Sequence, residues 1–171
     1  MKKLRIAEIS VAFALVIAVV FSVIGFGKEC EDIRSDVVRL HILANSDSEA
    51  DQQVKLAVRD ALLNGGKELF NGTVNKDSAE YMLEVQKDEL IRIADNVLKE
   101  NGFDYTAQIY LTEEYFTTRT YENFTLPAGE YLALKVVLGS GEGHNWWCVM
   151  FPPLCLPAAS ENADIDAVFG E

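Results

Sequence analysis

The chain begins Met1-Lys2-Lys3-Leu4-Arg5, and from Ile9 to Phe26 it carries no charge, with only Ser10, Ser22 and Gly25 interrupting the apolar run. As a helix those residues extend ~27 Å, close to the thickness of a bilayer's hydrocarbon core. A segment apolar all round cannot rest on a globular surface; it is cleaved off, held in lipid or buried whole. The basic flank argues against burial, because Lys2, Lys3 and Arg5 would enter the core with it. The alternatives of a secretory signal and a retained anchor stay open. Small residues in Gly25-Phe26-Gly27 mark Gly27 as the cleavage candidate, and Cys30 follows Lys28-Glu29 with no lipoprotein cysteine box. In either case the basic end stays in the cytoplasm and the remainder crosses.

Charge distribution points the same way. Residues 1–27 carry Lys2, Lys3 and Arg5 against Glu8, a surplus of two positive charges, so a net charge of -12 leaves -14 on the remainder. A body that acidic is a poor ligand for nucleic acid or anionic lipid headgroups. The 171 residues, 49% hydrophobic and 25% charged, suit one globular domain with its own core.

Beyond a polar tether at 28–36, Val37–Leu43 reads as a strand, with Val38, Leu40 and Ile42 on one side and Arg39 and His41 on the other. Ser46 and Glu49 fit a capping box for a helix ending near Asn64 at Gly65-Gly66. A second helix is expected from Asp77, capped with Glu80, to Asn101-Gly102, with Leu83, Leu90, Ala94 and Val97 as its stripe. The period then changes to two. Tyr105–Thr112, Tyr131–Leu138 and Asn145–Phe151 read as strands, with an aromatic-rich connection at 113–128. The expected fold is α+β: two helices packed on a mostly antiparallel sheet of about four strands, behind the N-terminal hydrophobic segment. The exported domain spans 37–156, and 157–171 form a flexible acidic tail.

The segment Gly143–Cys155, GHNWWCVMFPPLC, concentrates unusual residues. A catalytic cysteine needs a base, and in a regular strand His144 lies ~13 Å along from Cys148. That is too far for a hydrogen bond, and His41, the other histidine, can approach only if its strand neighbours this one. An exported thiol hydrolase using Cys148 with a histidine therefore stands only as the enzyme-class alternative. Asp47 and Asp51 share a helix face, but without a nearby ligand pair no metal and no cofactor are expected. Pro152-Pro153 must end the strand, so Cys155 can return beside Cys148; a disulfide and two buried thiols both remain open. Strand alternation puts Trp147, Val149 and Phe151 on one face and Trp146, Cys148 and Met150 on the other. One indole packs on the helices. The other needs a partner or a cover from Tyr115, Phe116, Tyr121 and Phe124.

The blocks VVRLHILANSDSEADQQVKLAVRDALL (37–63) and YENFTLPAGEYLALKVVLGSGEGHNWWCVMFPPLC (121–155), with the single hydrophobic leader, resemble the stage II sporulation protein R family. The resemblance implies a signalling protein and not an enzyme. It implies a protein made in the forespore and exported across the forespore membrane into the space between forespore and mother cell, secreted or membrane-anchored. There, by the same resemblance, it is expected to trigger a membrane-embedded aspartic peptidase that processes the sigma-E precursor. A membrane-anchored envelope protein without a signalling role is the other alternative. Candidate partner-binding residues are Trp146, Trp147, Arg39, His41, Asn45, Arg119 and Glu122, polar or aromatic groups without an evident core role.

Overall fold

The computed structural model describes residues 2–70, 75–120 and 125–151, without the side chains of 2–8 and 67–69. Two compact units emerge: one comprises residues 1–35 with 117–129, the other 36–116 and the chain from 130 onward.

In the first unit, helix α1 spans Lys2–Ser35. Its stretch Ile9–Ser35 is long and apolar enough to cross a membrane and is not buried. Phe13, Phe21 and Phe26 are all about two-thirds exposed, so the helix presents apolar side chains on every side, as a signal or anchor segment does. Most of the stretch expected as a tether continues this helix to Ser35. Arg34 there pairs with Glu31 and donates to Ala128 O at 3.3 Å. Strand β3 (Arg119–Thr120) pairs antiparallel with β4 (Thr125–Leu126) within what reads in sequence as an aromatic-rich connection.

The second unit is built from β1 (Val38–Leu43), α2 (Glu49–Leu69), α3 (Lys76–Val85), α4 (Lys87–Glu100), β2 (Ala107–Phe116), β5 (Gly129–Leu138) and β6 (Asn145–Phe151). Its sheet runs β2-β5-β1-β6. The central strand β1 is parallel to β5 and antiparallel to β6. Gly139 N donates to Thr106 O at one end of the β2–β5 pair, and Phe116 packs on Tyr131 at the other, so these two strands run in opposite directions. A mostly antiparallel four-stranded sheet with its helices on one face is the architecture the sequence predicts.

Helix limits differ from the sequence expectation for physical reasons. Ser48, not Ser46, caps α2: its Oγ accepts from Asp51 N at 3.2 Å. Asn75, not Asp77, caps α3 through its Oδ1 and Ser78 N. Helix α2 passes through Gly65-Gly66 instead of ending there. A Cβ on Gly65 would meet Ile93 Cδ1 at 3.0 Å and one on Gly66 would meet Met150 Cε at 3.1 Å, so these glycines serve close packing and not a stop. The expected second helix is broken at Gln86, which resets its phase. Leu90, Ala94 and Leu98 become fully buried, while Val97 only packs against their cluster.

Core residues Leu40 and Ile42 of β1, Val58 and Leu62 of α2, Leu83 of α3, and Leu134, Val136 and Leu138 of β5 enclose the space between sheet and helices. Cys148 and Met150 join them from β6 as the alternation predicts. Phe151 departs from it. A β-bulge between Val38 and Arg39 leaves Arg39 opposite Val149 and Val38 opposite Phe151, which turns the Phe151 ring into the core against Phe70 at 5.4 Å.

Candidate functional site

The sheet face turned away from the helices carries two rows of side chains across all four strands. Strand pairing places Lys135 and Trp147 directly beside His41, and Ala133 and Val149 directly beside Arg39. Period-two alternation on β2 brings Glu114 into the first row and Phe116 into the second.

Charge organises the first row. Glu114 Oε1 accepts from Lys135 Nζ at 2.6 Å, and its Oε2 lies 2.6 Å from His41 Nδ1. The other ring nitrogen of His41 meets Asn145 Oδ1 at 2.8 Å, and the Trp147 ring lies tilted at 49° to the imidazole, 5.8 Å between centroids. Burial pushes the Glu114 carboxyl up, but the hydrogen bonds from Lys135 and His41 outweigh it and hold it below its ordinary value. In the second row Arg39 is fully buried. Its Nε donates to Cys148 O at 3.0 Å, and its guanidinium lies 4.4 Å from the Phe116 ring centroid and 5.3 Å from that of Tyr131. Aromatic faces thus replace part of the cation's lost hydration. The result is a floor in which Arg39 and His41 are buried and Trp147 stays partly exposed.

A second polar cluster joins β1 to α2. Asn45 Oδ1 accepts from Ser140 N at 2.9 Å and its Nδ2 donates to Asp51 Oδ2 at 3.1 Å, clamping the 139–143 turn onto the start of the helix. Gly139 has φ +57°, and a Cβ there would fall 2.3 Å from Asn45 Oδ1, so the clamp excludes any side chain. Asp51 is buried and also accepts from Ser46 Oγ and Tyr105 Oη. Burial pushes its carboxyl up, but these donors hold it below the usual carboxylate value. Asp47, on the surface, is held low by the His144 backbone amide and ring.

Lys55, fully buried on α2, donates to Gln52 Oε1 at 2.6 Å and to His144 O at 3.0 Å. Burial lowers its ammonium from 10.5 to about 8. Between about pH 8 and 10 the unfolded chain holds a proton that the folded chain has released, so this group makes stability rise with pH, by about 2 kcal/mol across the window. Above that range Tyr105 opposes the rise, because burial and then Asp51 push its phenol up and the unfolded tyrosine ionises first. Urea titrations at pH 8 and pH 9.5 should show the gain in the native protein and lose it in Lys55→Met; equal slopes in the two proteins would refute the assignment.

The structure brings together Arg39, His41 and Trp147 of the residues singled out in the sequence. Trp146 lies on the opposite face, against the core, with the Arg59 guanidinium 4.3 Å from its ring centroid. Asn45 shapes the turn. Arg119 belongs to β3 in the other unit, and Gly27 sits within α1. Glu122 and Cys155 lie outside the described residues. Cys148 is disulfide-bonded, whereas Cys30 is a free thiol. The thiol-hydrolase constellation is not assembled. Cys148 points into the core beside Leu40, His41 occupies the other face, and His144 engages Asp47. Among the described residues no cluster of His, Cys, Asp and Glu is arranged to hold a metal.

Sequence reasoning missed Glu114, Lys135 and Asn145. Lys135 had left a trace as the one charge inside Tyr131–Leu138. Phe116 is expected from the sequence to cover the far-face indole, but its ring lies over the Arg39 guanidinium instead. Tyr115 is 69% exposed, and Tyr121 and Phe124 lie outside the described residues.

Fold and leader together define an α+β domain joined to a single helix of signal or anchor type. The family described as stage II sporulation protein R matches residues 34–161, and the chain belongs to that family. It is 37% identical over 123 residues to stage II sporulation protein R of Bacillus subtilis (strain 168), covering 72% of this chain and 55% of that relative. The chain thus spans about half the length of the curated relative it matches. No solved structure matches it. Family membership gives it a role in sporulation.

Proposed function

We propose that the chain is an exported, non-enzymatic ligand that switches on a membrane-embedded aspartic peptidase, which then processes the sigma-E precursor. The observation that carries this reading is the surface formed by the partly exposed Trp147 beside the buried His41, on the sheet of a domain carried behind an apolar helix. Export across the forespore membrane puts that surface in the space facing the mother cell. Cleavage after Gly27 releases the domain and retention tethers it; N-terminal sequencing of the mature chain separates the two. In that oxidising space Cys148 pairs with Cys155, a bond that non-reducing peptide mapping would locate.

A ligand activates a receptor only by binding its active state more tightly than its inactive one. Moving a peptidase from 1% to 99% active takes about 5.5 kcal/mol of such preference. A buried aromatic contact and one or two desolvated hydrogen bonds can supply that. The test is co-expression of the peptidase and sigma-E precursor with and without this chain in a host that does not sporulate. Processing is expected only with the chain present, and processing that proceeds equally without it would end the ligand reading.

A further inference from the structure

Leu111 of β2 and Leu132 of β5 floor an open groove of about 440 Å³, walled by Asp77, Glu80, Tyr81 and Glu84 of α3. It lies on the helix-bearing side of the sheet, whereas Trp147 occupies the opposite face. Spacings of three and four align the three carboxylates along the helix, where neighbouring like charges repel. None of the three has an ion-pair partner among the described residues. Asp77 in the first turn complements the helix dipole. Glu84, near the other end, opposes it, and no basic residue stands in that last turn. The needs of the helix therefore do not account for this arrangement. Tyr81 within the acidic rim is 67% exposed and Val85 beside it is 56% exposed, an apolar strip next to the apolar floor.

We propose that this groove docks a cationic amphipathic peptide segment of a partner protein, whose Lys or Arg side chains meet Glu80 and Glu84 while an apolar neighbour covers Tyr81 and enters toward Leu111. Charge complementarity selects this occupant: such a segment relieves the repulsion along α3, whereas an acidic or neutral one does not. The inference does not depend on the peptidase reading, because it concerns another face and its test involves no processing.

The experiment uses the 171-residue chain in neutral detergent and a fluorescein-labelled peptide of Lys and Leu in amphipathic helical order, read by fluorescence anisotropy with binding to empty micelles subtracted. Glu80→Lys with Glu84→Lys is expected to weaken binding about tenfold or more. The control pair Glu100→Lys with Asp104→Lys makes the same change in net charge at exposed positions outside the groove, and should alter binding by less than about twofold. Tyr81→Ser should weaken binding at high salt, where the charge contribution is screened. Equal losses in the two double variants would show attraction to the acidic body alone and overturn the proposal, as would no saturable binding by the native protein.

Discussion

Asp51→Ala is expected to destabilise the second unit by roughly 2–3 kcal/mol, because it leaves three partly buried donors without their acceptor. Ser46 Oγ, Asn45 Nδ2 and Tyr105 Oη all converge on this carboxylate, and Asn45 in turn holds the 139–143 turn. The loss therefore spreads from the start of α2 to the turn entering β6, and should lower the thermal midpoint by roughly 10 °C or more. Asp51→Asn keeps one acceptor oxygen and should cost less. The acid limb provides a second reading. Since the folded carboxyl sits below its unfolded value of 3.8, its stabilisation is present above that pH and is lost as pH falls through the folded value. Asp51→Asn should flatten that loss. A thermal midpoint within a degree or two of the native protein in Asp51→Ala would show that the donors find other partners.

Trp147→Ala is expected to raise the concentration of chain needed for half-maximal processing roughly 30- to 1,000-fold, the effect of deleting an aromatic anchor worth about 2–4 kcal/mol in an interface. The indole is half-buried, so truncation should cost the isolated fold far less than it costs signalling. Trp146→Ala makes the contrast. That ring packs against the core under Arg59, so its loss should lower stability, with signalling falling only in proportion to the folded fraction. Dose–response curves in the co-expression assay, beside melting curves of both variants, separate the two roles. An unchanged dose–response for Trp147→Ala would remove this face from the contact surface.

Much of the architecture was readable because periodicity reports burial directly. Alternation through 37–43 and 131–138 located the two central strands, and the 3.6-residue stripe after Ser46 located α2. What misled was local chemistry with two meanings. Gly65-Gly66 has the composition of a helix stop, yet only the approach of Ile93 and Met150 reveals the pair as a packing device. Ser46 has the capping-box spacing to Glu49, yet its hydroxyl donates to the Asp51 carboxylate while Ser48 Oγ takes the Asp51 amide and caps the helix. The candidate face shows the same division. Arg39, His41 and Trp147 stood out as polar or aromatic residues in strands, but Glu114 lies 73 positions from His41 and nothing in its own neighbourhood announces the contact.

Local patterning was enough to establish that a basic-flanked apolar helix leads an acidic α+β domain, since charge, hydropathy and strand alternation are local properties of the chain. It also separated the two tryptophans, because adjacent residues in a strand face opposite ways. Strand order and register settled which indole faces the helices, that the disulfide-bonded Cys148 and both histidines lie apart, and that Glu114 joins Lys135 to His41. Both arise from long-range pairing across the β2-β5-β1-β6 sheet and leave no short-range signature in the chain.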